Sequence, residues 1–193
     1  MKVVPCAIPD VLLVEPQVYR DSRGAFLETY NERTFAALGF HHHYVQDNLS
    51  ISKCNVIRGL HYQVRHPQGK LVQAIRGEVL DVAVDLRRWS PTFGEHVTVR
   101  LSDQDHKALW IPPGFAHGFA VLSEDAYFAY KATDFYAPEF ERTIVWNDPE
   151  MGIDWGVKPE DAIVSEKDRT GARLSQAEVY EDEAVLTAAG QGL

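Results

Sequence analysis

From about residue 44 to residue 146 apolar side chains recur at every second position, a period that admits strands and excludes helices. The stretch "VLDVAVDL" sets Val82 and Val84 against Asp81 and Asp85, and "HVTVRL", "AVLS" and "AYFAYKA" repeat the alternation. Turn-forming clusters ("HPQG", "RGE", "RRWSPTFG", "LSDQD", "IPPG") interrupt the runs at roughly the 8–12-residue spacing of an all-β sandwich or barrel. The expected fold is therefore all-β and jelly-roll-like, with short helices at its periphery. One helix is legible in "YNERTFAALGF", with Asn31 as N-cap and Gly39 as stop. After about Thr170 the tail "RLSQAEVYEDEAVLTAAGQGL" returns to helix-forming residues with an acidic patch, and its last residues are expected to be loose. With 193 residues, 45% of them apolar, the chain reads as one domain over 1–193, with 170–193 as a C-terminal extension.

Charge and cysteine usage narrow the function. A net charge of −9 disfavours polyanionic nucleic acid and leaves room only for a local basic pocket holding a small anion. Cys6 and Cys54 stand far apart without CxxC spacing, so neither a disulfide framework nor a structural zinc site is expected, and a reducing cytoplasm fits. The N-terminal stretch has no long apolar run followed by a small-residue cleavage site, and no segment is long enough to span a bilayer. No membrane partner is expected.

Two segments, "GLHYQ…GKLVQAIRG" and "PPGFAHGF", resemble the paired motifs of cupin barrels. Metal-binding cupins carry HxH and a glutamate in the first motif and a third histidine in the second. Here His61-Tyr62-Gln63 replaces HxH, and Lys70, separated from Gly77 by six residues, stands at the acidic position. A protonated lysine has no lone pair to offer a cation and repels it, so the expectation is a cupin-type jelly roll without a metal. His66, before Pro67 in a turn-like stretch, is a poor substitute ligand. His41 to His43 read as a polar loop after the helix stop.

Taken together, "RGLHYQ", "QGKLVQAIRGEVLDVAVDLRRWSPTFG", "LWIPPGFAHGF", "YKATDFYAPEFER", "WNDPEMGIDW" and "SEKD" resemble the dTDP-4-dehydrorhamnose 3,5-epimerase family, from about Arg20 to Asp168. The resemblance implies a cofactor-independent isomerase of dTDP-L-rhamnose biosynthesis, a homodimer acting on a dTDP-sugar. It assigns His61 as the base, Asp168 as its orienting carboxylate, Lys70 as the cation that holds the enolate oxygen and Tyr130 as the acid on the opposite face. It also assigns substrate contacts to Arg23, Glu28, Gln46, Asp47, Asn48, Arg58, His117, Glu141 and Lys167, with Tyr136 stacking on the base. If "YKATDFY" stays extended, the even separation puts Tyr130 and Tyr136 on one face.

Other readings stay open at this point. On residue type alone a histidine in a buried strand is more often a satisfied core side chain than a catalyst, and an isolated charge is more often surface than site. A 3-only or 5-only epimerase on a related dTDP-keto-deoxysugar shares these motifs. A non-catalytic sugar-nucleotide-binding cupin needs no acid–base set, and a metal-dependent cupin lacks its ligands here.

Overall fold

The computed structural model describes residues 1–188. In chain order its strands are β1 (Lys2–Pro5), β2 (Leu12–Glu15), β3 (Val18–Asp21), β4 (Gly24–Leu27), β5 (Gln46–Lys53), β6 (Val56–Gln63) and β7 (Lys70–Arg76). There follow β8 (Glu78–Asp85), β9 (His96–Ser102), β10 (Ala108–Ile111), β11 (Phe115–Val121), β12 (Asp125–Ala132), β13 (Glu141–Thr143) and β14 (Ile163–Val164). Sheet one runs β1-β2-β10-β7-β12-β5 and sheet two β13-β6-β11-β8-β9, with β14 beside β6. Among the described residues the hairpin β3–β4 pairs only with itself. Short helices α1 (Glu32–Ala37), α2 (Glu166–Arg169) and α3 (Ala184–Ala188) lie outside the sheets. This is the expected all-β architecture.

Helix α1 begins and ends where its sequence dictates. Asn31 accepts hydrogen bonds from the N–H groups of Arg33 and Thr34, and Gly39 takes φ +92° just after the last turn, as N-cap and stop residues do. The loop beyond it is less polar in role than its sequence suggests, because His42 stacks on Trp110 at 4.2 Å between ring centroids.

The two sheets face one another across an apolar core. Val72, Ala74 and Phe128 from sheet one meet Val79, Ala83, Phe115 and Phe119 from sheet two. Phe119 and Phe128 approach to 4.4 Å between centroids, and each such side chain contributes about 1.5–3 kcal/mol by leaving water.

Sheet two is also covered on its outer side, so the alternation in "VLDVAVDL" separates two buried faces. Leu80, Val82 and Val84 pack under Trp146, Met151, Trp155 and Tyr180, while Asp81 and Asp85 point the other way and are fully buried as well. Asp85 is satisfied by Arg87, Ser90 and Thr92. The covering layer is the segment after β13. Trp155 donates to the Trp146 carbonyl at 2.7 Å and Tyr180 to the Gln63 carbonyl at 2.6 Å.

The tail thus follows a different course from the helix-rich one expected. Between Thr170 and Glu183 it holds one short 3-10 turn, Leu174–Gln176, and a bridge from Tyr180 to Arg87, before α3. Packing of Tyr180 against sheet two overrides the local helix propensity. The expectation of loose last residues falls on positions 189–193, outside the described residues.

Candidate active site

Arg58 and His61 are three residues apart on β6, so a regular strand would send them to opposite faces. Pairing of β6 with β11 slips between the two, with His117 opposite His61 but Phe119 opposite Arg58. One extra residue of β6 is thereby accommodated. The slip depends on two glycines. Gly59 has φ +120°, and a Cβ placed on it would lie 2.5 Å from Gly118 Cα and 2.7 Å from the His117 carbonyl oxygen. A Cβ on Gly118 would lie 2.7 Å from the Arg58 carbonyl oxygen. As a result Arg58 and His61 line one cavity of about 170 Å³ with Ser50, Lys70, His117, Phe119 and Tyr130. The same two residues also line a wider cavity of about 470 Å³ that continues to Lys167 and Asp168.

Asp168 reaches His61 through a local chain of cause. Strand β14 adds parallel to β6, Val164 opposite Ile57, and the chain turns at once into α2. Ser165 caps that helix by accepting from the Asp168 N–H at 3.2 Å. The Asp168 carboxylate then lies 2.5 Å from His61 Nε2, with the Gly59 N–H 3.5 Å from its other oxygen. Burial, the largest single influence, would raise the Asp168 pKa, but the hydrogen bond to His61 and its charge, together with the bonds from Ser165 and the Gly59 N–H, hold the carboxyl below its ordinary value.

Lys70 and Tyr130 come from the other wall. Lys70 sits on β7 opposite Ala132 of β12, and Tyr130 on β12 sits opposite Val72 of β7, so both belong to sheet one whereas His61 belongs to sheet two. Dense protein surroundings lower the Lys70 pKa to about 8, against the upward pull of Asp81 and Glu141. The Tyr130 phenol is raised by burial, with Arg58 opposing. The donor set does not suit a divalent cation, because an ammonium stands where a carboxylate would be needed. His66 is outside the cavity, turned towards Asp134 at 3.3 Å.

The rim gathers Gln46, Asn48, Tyr136, Glu141 and Lys167. Gln46 donates to Asn48 at 2.9 Å and accepts from the Tyr136 N–H at 3.0 Å. Glu141 accepts from the Tyr136 hydroxyl at 2.9 Å and from Lys167 at 2.5 Å. Tyr136 reaches this rim by a bend, since β12 ends at Ala132 and the chain turns at Thr133 and Asp134. The even-spacing argument for a face shared with Tyr130 does not apply.

Three expected contacts lie elsewhere. Along β5 the even positions Gln46, Asn48, Ser50 and Ser52 face inward, which leaves Asp47 on the outer face, paired with Lys131 at 3.0 Å. Arg23 is 89% exposed on the β3–β4 hairpin and binds Asp21. Glu28 braces the start of α1 by accepting from Asn31 and Thr34. Conversely, Asp81 was missed. It accepts from His117 Nε2 at 2.8 Å inside the barrel, and the signal was an aspartate in a strand whose neighbours on both faces are apolar. Ser52 was missed as well, and it accepts from Arg58 Nε at 3.0 Å.

The family profile described as dTDP-4-dehydrorhamnose 3,5-epimerase matches residues 5–176. A dTDP-4-dehydrorhamnose 3,5-epimerase of Pseudomonas aeruginosa is 58% identical over 181 residues, covering 93% of this chain and 99% of that one. A crystal structure of the 3,5-epimerase from Legionella pneumophila in complex with dTDP-4-keto-L-rhamnose superposes with a TM-score of 0.91 at 44% identity, covering 94% of this chain and 98% of the other. The enzyme from Mycobacterium tuberculosis, also at TM-score 0.91, covers 99% of both chains at 32% identity. Matched almost end to end in sequence and in cupin-type architecture, this chain belongs to the dTDP-4-dehydrorhamnose 3,5-epimerase family.

Proposed function

We propose that this chain inverts C3 and C5 of dTDP-4-dehydro-6-deoxy-D-glucose to give dTDP-4-dehydro-L-rhamnose, using side-chain groups alone. The observation that carries this reading is the His61–Asp168 pair on one wall of a cavity whose other wall holds Lys70 and Tyr130. Because an ionised carboxylate only accepts hydrogen bonds, Asp168 keeps the His61 proton on Nε2 and leaves the Nδ1 lone pair free to act as the base. At each carbon flanking the C4 carbonyl, the C–H bond breaks, its proton passes to His61 Nδ1, and the electron pair moves onto O4 as an enolate. Lys70 stabilises that oxyanion as a fixed cation. Tyr130 then returns a proton to the opposite face of the carbon, and solvent restores both groups.

Arg58, held by Ser52, offers a forked donor set for the diphosphate. Tyr136 stacks on thymine at the rim, beside Glu141, Lys167, Gln46 and Asn48. Exposed Leu49, Ile51 and Ile75 on the outer face of sheet one, and Tyr19 and Phe26 on the hairpin, support a homodimer. In such a dimer the hairpin and its flank, which keep Arg23 and Glu28 away from their own cavity, serve the partner's cavity. Free Cys6 and Cys54 suit a cytoplasmic enzyme.

The test is NMR in D₂O with dTDP-4-keto-6-deoxyglucose. Deuterium at both C3 and C5 with inversion at both is expected. Exchange at only one carbon would replace this reading with a single-centre epimerase, and binding without exchange would leave a sugar-nucleotide-binding protein. Light scattering of the intact chain tests the dimer, and a monomer at micromolar concentration would reject it.

A further inference from the structure

Sheet two carries a second imidazole–carboxylate pair beside the first. His117 on β11 stands opposite His61 on β6, and its Nε2 lies 2.8 Å from Asp81 Oδ2. Asp81 is fully buried, and its Oδ1 has no hydrogen-bond partner. The whole hydrogen-bonding capacity used by this carboxylate falls on one N–H. That contact fixes the ring proton of His117 on Nε2 and leaves a lone pair on Nδ1. Among the described residues Nδ1 has no protein partner, while the ring lines the same cavity as His61, Lys70 and Tyr130.

The two pairs differ in their surroundings. The His61 side chain is 29% exposed, whereas that of His117 is 8% exposed. Burial, the largest influence, acts with the charges of Lys70 and His61 against the opposing pull of Asp81 and lowers the His117 pKa, which favours the neutral ring. A buried neutral imidazole of fixed tautomer is a hydrogen-bond acceptor more than a proton acceptor.

Resting on the epimerase reading, we propose that Asp81 is a positioning residue that locks His117 as an acceptor for a ring hydroxyl of the hexose, leaving carbon deprotonation to His61. A site built to receive a hydroxyl rejects an analogue that lacks it, because its buried acceptor is then left unpaired. Asp81 would therefore set part of the sugar specificity without touching the sugar.

The first measurement needs no variant: long-range ¹H–¹⁵N NMR of the intact protein should show His117 neutral at pH 7 with its proton on Nε2. A proton on Nδ1, or an imidazolium, overturns the proposal. The second compares wild type with Asp81→Asn on the natural sugar nucleotide and on its 2-deoxy and 3-deoxy analogues. Wild type should lose at least about tenfold in kcat/KM or affinity with one analogue, and Asp81→Asn should lose that discrimination, through KM more than kcat. Asp81→Glu, which keeps the acceptor, should retain it in part. Equal discrimination in wild type and Asp81→Asn, or none in wild type, overturns the proposal. If wild type exchanges no deuterium at C3 or C5, the epimerase reading fails instead, and the tautomer measurement is unaffected.

Discussion

Asp168 meets His61 across 107 residues of sequence, with Oδ1 2.5 Å from Nε2. The contact exists because a two-residue strand, β14, docks parallel to β6 and delivers the Ser165-capped turn to the wall of the cavity.

If this pair is the base, His61→Ala should abolish solvent exchange at both carbons, a loss of about 10²–10⁴-fold or more, while dTDP affinity changes little. Asp168→Asn should also slow exchange strongly, because an amide can donate to the ring and favour the other tautomer. Exchange kinetics and a binding titration on the same preparations check both. Wild-type exchange in His61→Ala would remove the histidine from the mechanism.

Tyr130→Phe keeps the ring packed against the core and removes the hydroxyl. Deprotonation by His61 should continue and the enolate should be reprotonated on its original face. The expected result is deuterium incorporation without net inversion, read as exchange and product stereochemistry in one tube. Normal inversion would show that water or another side chain supplies the proton.

Lys70 sets an alkaline limit. Its pKa falls from 10.5 to about 8 on folding, so the ammonium needed to hold the enolate is lost as pH rises through about 8, and kcat should fall above that pH. Stability moves the other way. The unfolded chain binds more protons between about 8 and 10.5, so this group's contribution to stability rises with pH across that window, and below it the buried charge is a cost. Lys70→Met should therefore lose about 10²-fold or more in kcat without lowering the denaturation midpoint at pH 7. A pH–rate profile and urea melts measure the two effects separately.

Gly59→Ala should destabilise the fold by about 2–4 kcal/mol, combining left-handed backbone strain with a forced contact. The added Cβ would press on Gly118 Cα, which is backbone and has nowhere to retreat. A fall in the urea midpoint accompanied by loss of exchange activity is expected. An unchanged midpoint would show that the β6–β11 slip does not require glycine.

Much of the fold was legible from β5 to β13, because alternation at period two and turn residues act locally and need no knowledge of neighbours. The same held for α1, whose cap and stop residues are its own. The motif resemblance located His61, Lys70, Tyr130, Asp168, Arg58 and His117, and the two walls bring these together. Local patterns failed wherever a distant segment decided the environment. Nothing local in "VLDVAVDL" shows that Trp146, Trp155 and Tyr180 cover the face of Val82 and Val84, or that the opposite face buries Asp81 inside the barrel. The tail's helix propensity yields to the burial of Tyr180 on sheet two. Tyr136 reaches the rim through a bend that parity along a strand cannot describe.

By itself, then, the sequence determined the strand periodicity, the turns and the chemical types available for a reaction. Tertiary structure decided which of them share a cavity. Side-chain direction within a strand depends on residue parity, but the slip between β6 and β11 that turns Arg58 and His61 to one side arises only when two backbones approach at Gly59 and Gly118. That approach is a property of paired strands, and neither strand specifies it alone.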